Sequence, residues 1–545
     1  MGSEDRFVDR MRHHLRDAGI PAEDDEIEEL VNRGFLEQVA AAEEYLRTVP
    51  SDIVPDELAS RGEDVGQHAS PSLARDDVPS GILFGTPDGD PEREPLRYIG
   101  IVEVGRLLKR REISAVELVH DVIERISDHD PALNAFQSVL AEHALKAAKR
   151  ADNEIEAGID LGPLHGVPIA AKDLLAMRGT ITTAGSMLHA GRMTDYDATS
   201  IERLEEAGAI IVGKTRMSEF AFSPGSNNEH YGPTRNPWHH QHDTAGSSSG
   251  SGAAVADGLV YGALGSDTGG SIRMPAALCG IVGFKPTFGR VSLHGADSLA
   301  WSLDHLGPMT RTVVDSAIMM NVLAGFDERD PRTRRVPEPD YTAGLGVGVR
   351  GLRVGVLTSD GSDGPLASDD ATASWHKSLR ILRDQGAELV DVSLPEMESL
   401  RMVNGSIVRL EAAAFHEANL VSRFTYYSRF MRQRVMAAYA HSPIATLRLS
   451  QARAELRRRC HRIWNAVDVL CTPAMPYEAP QLGDPSRNTT FTGPFNTLGW
   501  PAAVVPVSLS EKRLPLSTQL VGQPWDDARV LRVANAVEAG RGTVR

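Results

Sequence analysis

Cysteine is almost missing from this sequence of 545 residues. The three cysteines, Cys279, Cys460 and Cys471, are an odd number, and none of them belongs to a CxxC pair. These counts exclude a disulfide framework and a cysteine-rich zinc site, and they fit a reducing compartment. The sequence also has no signal-peptide pattern at its start and no apolar run long enough to span a membrane. We therefore predict a cytoplasmic protein with no membrane partner.

Lysine is scarce as well, with eight residues in the chain, and the net charge is −17. An acidic balance argues against a nucleic-acid-binding surface, so nucleic acid is not an expected partner. The apolar and charged fractions, 41% and 24%, are those of a globular protein. A chain of this length can bury a large core and exceeds the usual size of one domain.

The first hundred residues differ in pattern from the rest of the chain. Apolar residues recur at helical spacing up to about residue 48, whereas residues 49–97 are rich in proline, glycine, aspartate and serine. We predict that residues 1–97 form a helical N-terminal extension and an extended linker that wraps a surface. Residues 98–545 are then the main domain.

Helical and short apolar segments alternate through the main domain. One helix is predicted from Ser114 to Ser127, with Ser114 and Glu117 forming a capping box. Another covers residues 201–207 and ends at Gly208. The predicted buried strands cover residues 210–214, 352–357 and 467–470. Helices between buried strands predict an α/β fold with a covered sheet.

Residues 265–275, GSDTGGSIRMP, contain the strongest catalytic motif. Two glycines and a threonine lead into Ser271, so the turn can direct several backbone N–H groups at a small volume beside a hydroxyl. An acyl-transfer enzyme needs this arrangement of a nucleophile and an oxyanion hole. Asp267 and Arg273 flank the turn, and we interpret them as a structural pair that holds the loop.

A second run rich in glycine and serine, residues 246–252, lies upstream of Ser271. It is not a P-loop, because no Gly-Lys-Ser/Thr follows at the required spacing. Two interpretations remain: a flexible loop, or a G-x-S-x-G match in which Ser248 is the nucleophile of an α/β-hydrolase. A nucleophile elbow follows a buried strand, but residues 239–244 are polar, which disfavours the α/β-hydrolase.

Lys172 stands in the apolar run IAAKDLL, which predicts its burial. A lone lysine is more often a surface residue or an ion-pair partner, but burial favours the neutral amine, which can act as a base. Cys279 with Glu219 and Lys172 would suit a nitrilase. The apolar surroundings of Cys279 favour a buried structural role instead.

Two further groups of residues have ordinary structural explanations. The histidines at positions 239, 240 and 242 lie in a predicted loop without regular spacing, so no metal site is expected. Four apolar residues could line a pocket for the acyl group of a substrate, but residues of these types are more often part of the core: Met217, Phe220, Phe222 and Trp301.

Seven segments of the sequence, among them the Gly/Ser run and the motif around Ser271, resemble the amidase signature family. The matching segments are 166–173, 232–238, 246–248, 263–276, 280–287, 494–496 and 520–522. The resemblance covers roughly residues 98–545 and departs modestly at residues 245–251, where AGSSSGS replaces the usual GGSSGGS. It implies the amidase signature fold, a central mixed β-sheet covered by helices on both faces.

The resemblance also implies a Ser–cis-Ser–Lys triad. Ser271 would be the nucleophile, Ser247 the bridging serine after a cis peptide bond, and Lys172 the base. The implied oxyanion hole consists of the backbone N–H groups of Thr268, Gly269, Gly270 and Ser271. The implied supporting residues are Ser248, Asp267 and Arg273. No metal and no organic cofactor is implied.

Three functions are compatible with this resemblance. The first is a free-standing amidase that hydrolyses a small-molecule amide, or a related urea, carbamate or ester. The second is the A-type subunit of an amidotransferase, which supplies ammonia for tRNA-dependent transamidation together with a partner subunit. The third, a binding protein without activity, is disfavoured because all three triad positions are intact. The N-terminal helices are expected to build a homodimer or cover the entrance to the site.

Overall fold

The computed structural model describes residues 3–50, 53, 81, 83–87, 96–362, 364–484 and 489–544. Its α-helices are α1 (Ser3–Asp17), α2 (Asp24–Asn32), α3 (Phe35–Thr48), α4 (Ile101–Lys109), α5 (Ala115–Leu133), α6 (Ala141–Glu156), α7 (Thr199–Glu206), α8 (Ser249–Ala256), α9 (Arg273–Cys279), α10 (Val313–Leu323), α11 (Asp369–Asp384), α12 (Met397–Ser422), α13 (Arg429–Met436), α14 (Pro443–His461), α15 (Gly493–Leu498) and α16 (Asp527–Arg541). Its strands are β1 (Phe136–Val139), β2 (Pro168–Lys172), β3 (Ile210–Thr215), β4 (Arg235–Asn236), β5 (His239–Asp243), β6 (Gly262–Ser266), β7 (Val282–Lys285), β8 (Leu306–Thr310), β9 (Arg353–Ser359), β10 (Glu388–Ser393), β11 (Val469–Pro473), β12 (Ala502–Leu509) and β13 (Pro515–Val521). Within these described ranges, no helix combines the length and the apolar character needed to cross a bilayer.

Eleven strands of the described residues form one sheet in the order β1-β3-β2-β6-β8-β7-β12-β13-β11-β9-β10. Strands β3, β2 and β6 run parallel, as do β11, β9 and β10, while the strands between these two groups pair antiparallel. Strands β2, β3, β6 and β8 are buried along their whole length, as expected for a sheet with helices on both faces. The predicted α/β fold with a covered mixed sheet is confirmed.

Local signals in the sequence explain where α5 begins and ends. Ser114 and Glu117 form the predicted capping box at its start. The helix continues past the predicted end at Ser127 as far as Leu133, where Asn134 adopts a left-handed conformation and ends it. The boundary error is six residues, and the predicted helix itself is confirmed.

The three predicted strands are confirmed as β3, β9 and β11. Strand β11 begins two residues later than predicted. The carboxylate of Asp468 accepts the backbone N–H of Arg353 at 2.8 Å, so this residue ties the start of β11 to β9 with its side chain.

The N-terminal extension contains α1, α2 and α3, which pack against α12, α13, α14 and the segment between α13 and α14. One face of α1 buries Phe7, Met11 and Leu15, which recur at the four-residue spacing of a helix face. The ring of His14 lies 2.8 Å from the carbonyl oxygen of Tyr439 in the segment between α13 and α14. The apolar face of the extension is therefore buried against its own chain.

Most of the predicted linker, residues 49–97, lies outside the described residues. In the described piece, Phe84 is buried with its ring centroid 5.7 Å from that of Trp238. The neighbouring carbonyl of Leu83 accepts from Arg541 of α16 at 3.3 Å. This piece lies on the main domain near the C-terminal helix. The division at residue 97 stays a prediction.

Candidate active site

Lys172 and Ser266 meet because they end neighbouring parallel strands. Lys172 is the last residue of β2 and Ser266 is the last of β6, with Ala171 paired to Leu264. The carboxyl ends of parallel strands lie at the same edge of a sheet, where α/β proteins place their functional residues. The Lys172 Nζ donates to the Ser266 Oγ at 2.8 Å.

The second run of glycine and serine brings two more hydroxyls to the same amine. The Lys172 Nζ lies 2.7 Å from the Ser247 Oγ and 2.9 Å from the Ser248 Oγ. Ser248 is the N-cap residue of α8, and its backbone N–H donates to the Ser271 carbonyl at 3.3 Å. The peptide bond between Gly246 and Ser247 is cis. Lys172, both serines and the Ser271 turn therefore lie together.

Close packing, more than flexibility, explains the glycine at position 246. A Cβ on Gly246 would lie 2.2 Å from the carbonyl oxygen of Gly225. The carbonyl of the next residue, Ser247, accepts the backbone N–H of Ser218 at 3.3 Å. The loop of residues 218–225 is therefore seated directly on the backbone beside Ser247.

Burial lowers the pKa of Lys172. Its side chain is 0% exposed, and desolvation lowers the pKa from 10.5 to about 7, although Asp267 and Asp304 partly oppose this shift. Its three hydrogen-bond partners are serine hydroxyls. An amine with a pKa near neutrality is suited to accept a proton during catalysis.

Asp267 and Arg273 form a buried ion pair inside the turn that carries Ser271. Two guanidinium nitrogens donate to the carboxylate at 2.9 and 3.0 Å, and both side chains are fully buried. Burial opposes ionisation of Asp267, but the attraction to Arg273 outweighs it and holds the pKa of this carboxyl below its usual range. The same carboxylate accepts the N–H of Gly270 at 2.8 Å.

The hydrogen bond from Gly270 to Asp267 removes the Gly270 N–H from the four predicted oxyanion donors. Its N–H is directed at Asp267, whereas the N–H groups of Thr268, Gly269 and Ser271 make no hydrogen bond to a residue that the structure describes. Ser271 itself is 6% exposed. The N–H groups of Thr268, Gly269 and Ser271 therefore remain as candidate oxyanion donors close to the Ser271 hydroxyl in sequence.

Four residues at this site were not identified from the sequence. Ser266 stands inside the catalytic motif, and that position is the signal that would have identified it. Asp304 accepts from the Thr268 hydroxyl at 2.6 Å, and Asn404 of α12 donates to the Thr268 carbonyl at 3.1 Å. Thr492 donates to the next carbonyl of the loop at 2.7 Å. The last three come from distant segments and carry no local pattern.

The segment before the second run does not form a nucleophile elbow or a metal site. It is β5, which pairs with β4 in a separate two-stranded sheet, so no strand of the central sheet leads into Ser248. His239 and His240 are exposed, while His242 Nδ1 lies 2.6 Å from the Ala479 carbonyl oxygen. Among the described residues, no group of histidine, cysteine, aspartate and glutamate is arranged to hold a metal ion.

The arrangement around Cys279 does not support a nitrilase. Cys279 is buried at the end of α9, and burial raises the pKa of its thiol above the usual range, which disfavours the thiolate. The Glu219 carboxylate accepts from the Ser186 hydroxyl at 2.6 Å and lies 3.0 Å from the His230 ring. The Glu219 carboxylate therefore has partners other than Lys172, and the Cys279 Sγ lies 3.9 Å from the Thr244 carbonyl oxygen.

The apolar residues considered for a pocket are mostly core. Met217, Phe220 and Phe222 are buried, whereas Trp301 is 45% exposed. Ala221, between the two phenylalanines, lines a narrow cavity with Ser266, Thr268, Ser298 and Asp304. Ala221, flanked by Phe220 and Phe222, therefore forms part of one wall of this cavity beside Ser266 and Thr268.

The chain is similar to known proteins over most of its length. A family model described as amidase matches residues 117–531. The A-type subunit of glutamyl-tRNA(Gln) amidotransferase from Chloroflexus aggregans is 39% identical over 473 residues, which cover 81% of this chain and 96% of that protein. A solved vestigial protein complex, which bears on the origins of an s-triazine catabolic enzyme, contains a chain 32% identical with a TM-score of 0.77, covering 81% of this chain and 98% of that chain. A bacterial aryl acylamidase is 27% identical with a TM-score of 0.75, covering 82% of this chain and 97% of that chain. The resemblance found in the sequence is confirmed, and this chain belongs to the amidase signature family.

Proposed function

We propose that this chain cleaves a carbon–nitrogen amide bond through an acyl-enzyme on Ser271. One observation carries the proposal: the buried amine of Lys172 lies 2.7 Å from the Ser247 hydroxyl, beside the turn that carries Ser271. A buried amine can take a proton that a serine relays to it, and a turn with free N–H groups can stabilise an oxyanion.

The reaction begins when the Ser271 Oγ attacks the substrate carbonyl carbon. Its proton passes to the Ser247 Oγ, whose own proton passes to the Lys172 Nζ. The carbonyl oxygen becomes an oxyanion that accepts from the N–H groups of Thr268, Gly269 and Ser271, each worth about 3 kcal/mol in such sites. The proton returns along the same path to the leaving nitrogen, the C–N bond breaks, and ammonia or an amine departs.

A water molecule then attacks the acyl-enzyme. Its proton follows the same relay, the ester bond to Ser271 breaks, and the products are a carboxylate and the free hydroxyl. Ser248 and Ser266 orient the Lys172 amine through their hydroxyls, and the Asp267–Arg273 pair holds the turn. These steps use no metal and no organic cofactor.

A fluorophosphonate probe tests the assignment of the nucleophile. We expect one covalent adduct on Ser271, located by mass spectrometry of the digested protein, and no adduct on the Ser271→Ala variant. An adduct on Ser248 in the unmodified chain would contradict the assignment and favour an α/β-hydrolase mechanism.

The comparisons support the second of the two enzyme functions better than the first. The curated relatives, at 36–39% identity, are named as the A-type subunit of glutamyl-tRNA(Gln) amidotransferase, and 94–97% of their length is matched. The amidotransferase role would use the same acyl-enzyme and pass its ammonia to a partner subunit.

Ammonia release separates these two functions. The purified chain is incubated with glutamine and with a panel of aliphatic amides, aryl amides, ureas, carbamates and esters, both alone and with partner subunits of the relatives. Turnover by the chain alone supports a free-standing amidase and identifies its substrate class. Ammonia release that requires the partner subunits supports the amidotransferase role.

The homodimer and the cytoplasmic location stay predictions. The apolar face of the N-terminal helices packs against α12–α14 of the same chain, so a dimer through these helices would use their outer, polar face. The net charge of −17 continues to argue against direct binding of nucleic acid by this chain.

A further inference from the structure

We propose that the N-terminal extension sets the substrate selectivity of the site by positioning the wall at Phe220 and Ala221. The extension acts through the first turn of α13 and the carboxylate of Glu219. This inference rests on the proposed function, because it assigns the neighbourhood of Ser271 as the place where substrate binds.

The backbone of the wall at Phe220 and Ala221 has an unfavourable conformation that contacts from outside the loop must stabilise. Phe220 and Ala221 have φ values of 46° and 59°, in the left-handed region that residues with a Cβ rarely adopt. Such conformations persist only where the surroundings impose them. The Phe220 N–H donates to the Ala184 carbonyl at 2.8 Å, and its ring centroid lies 4.3 Å from that of His416. The position of Ala221 beside the site therefore depends on neighbours outside the loop.

Glu219, which precedes Phe220, connects this wall to helix α13 through its side-chain carboxylate. One carboxylate oxygen accepts from the Ser186 hydroxyl and contacts the His230 ring. The other accepts the backbone N–H of Ser428 at 3.0 Å. Ser428 is the N-cap residue of α13, so a displacement of this helix is transmitted to Glu219 and to the residue that follows it.

Helix α13 is in turn held by the N-terminal extension. Arg432 donates to Glu26 of α2 at 2.7 Å, and both side chains are largely buried. Arg429, in the first turn of α13, pairs with Glu29 and Asp25 of the same helix α2. Of these pairs, Arg432–Glu26 is the buried one and is a rigid connection, because separating it leaves a charge without water or partner.

A second contact path from the extension ends at the same wall. The guanidinium carbon of Arg434 lies 4.4 Å from the ring centroid of Phe222, the residue after Ala221. The same carbon lies 5.7 Å from the ring centroid of Phe35 in α3. Arg434 thus contacts both Phe35 of the extension and Phe222, the residue that follows the wall.

These contacts join the extension to Glu219, Phe220 and Phe222, whereas the loop meets the proton relay through Ser218, whose N–H donates to the Ser247 carbonyl. The Lys172 amine is held by hydroxyls from β6 and from the turn before α8. A change in the extension is therefore expected to alter which acyl groups fit and to leave the reactivity of Ser271 intact. The extension has no counterpart in the family match, which begins at residue 117. Selectivity can accordingly differ between this chain and a protein that has the family domain without this extension.

The test uses the full-length chain and two sulfonyl fluorides of different size. Methanesulfonyl fluoride is small, and phenylmethanesulfonyl fluoride carries a bulky group; both modify a reactive serine. The variants are Glu26→Gln and Phe35→Leu in the extension, with Glu28→Gln on the exposed face of α2 as the matched control. Second-order inactivation rates are measured for each reagent, and the modified residue is identified by mass spectrometry. Thermal unfolding establishes that each variant is folded.

We expect the ratio of the two rates to change at least fivefold in Glu26→Gln and in Phe35→Leu, while the rate with the small reagent stays within twofold. Glu28→Gln should match the unmodified chain. Ratios within twofold of the unmodified chain in both folded extension variants would overturn the inference alone. Modification of the unmodified chain at a residue other than Ser271 would overturn the proposed function, and this inference with it.

Discussion

The Lys172 Nζ and the Ser247 Oγ lie 2.7 Å apart, and neither side chain is exposed to solvent. A protonated amine in this position is shielded from bulk solvent, and its hydrogen-bond partners are neutral hydroxyls. Its proton affinity is therefore low for a lysine. The rate of the proposed reaction should depend on this one titration.

We expect the rate to rise with pH through about 7, the pKa to which burial lowers Lys172. Below that pH the amine is protonated and cannot accept the relayed proton; above it the neutral form dominates. The dependence of kcat/KM on pH measures this directly. Lys172→Arg should be inactive, because a guanidinium stays protonated at any usable pH.

The turnover of Lys172→Arg can also contradict the proposed proton relay. If Lys172→Arg folds normally and keeps near-normal turnover, the positive charge is what matters at this position. Lys172 would then be an electrostatic or structural residue, and the proton relay would be wrong.

Ser271→Ala should leave a folded protein with almost no turnover. Removal of a nucleophile from a comparable catalytic unit costs on the order of 10³-fold or more in kcat. Circular dichroism and thermal unfolding check the fold, and a steady-state assay checks the rate. Ser450→Ala, at an exposed position of α14, is the control. More than a tenth of the original activity in Ser271→Ala would contradict the assignment.

Gly270→Ala should impair the oxyanion hole. Gly270 has φ of +134°, and a Cβ there would lie 2.3 Å from the Thr492 Oγ1, so the turn must shift. A shift of the turn that displaces one neighbouring donor, the N–H of Gly269 or Ser271, should lower kcat roughly 10²- to 10³-fold. Gly344→Ala, where a Cβ meets no atom within 4 Å, is the matched control. Equal kcat values for the two variants would show that the turn is not sensitive to this position.

Asp267→Asn should destabilise the fold by about 3–5 kcal/mol, because the buried guanidinium of Arg273 loses its charged partner. Denaturant unfolding measures the change. Asp24→Asn removes an exposed partner of Arg12 and should cost about 0–1 kcal/mol. A loss of similar size in both variants would contradict a stabilising role for the buried pair.

The same pair gives stability a pH dependence with a defined sign. Since the pKa of Asp267 is lower in the folded state, its contribution is present at neutral pH. It is lost as the pH falls below the ordinary carboxyl range toward the folded-state pKa. Asp267→Asn should flatten that part of the acid unfolding profile.

The features that the sequence predicts well are local ones. The capping box at Ser114 is a pattern of four residues, and the Gly/Ser runs around Ser247 and Ser271 are equally compact. The burial of Lys172 follows from its immediate neighbours. In each case the physical cause lies within a few residues, so one segment contains the whole signal.

The features that the sequence did not reveal depend on contacts between distant segments. Asn404 and Thr492 support the turn before Ser271 from more than 130 residues away, and neither stands in a distinctive pattern. Phe220 and Ala221 have a left-handed backbone, and Phe220 contacts Ala184 and His416, which are distant in sequence, so local propensity cannot anticipate this conformation. The order of the strands has the same character, because pairing is a property of the assembled sheet.

The partners of Arg273 have a consequence for synthesis of the protein. Its guanidinium donates to the Thr492 carbonyl, the Asn496 side chain and the Gln519 side chain, all near the end of the chain. A nascent chain that has passed residue 271 already contains Lys172, Ser247 and Ser271. It still lacks every one of these late anchors for the turn. The turn around Ser271 should therefore reach its final arrangement only after residue 519 has been synthesised.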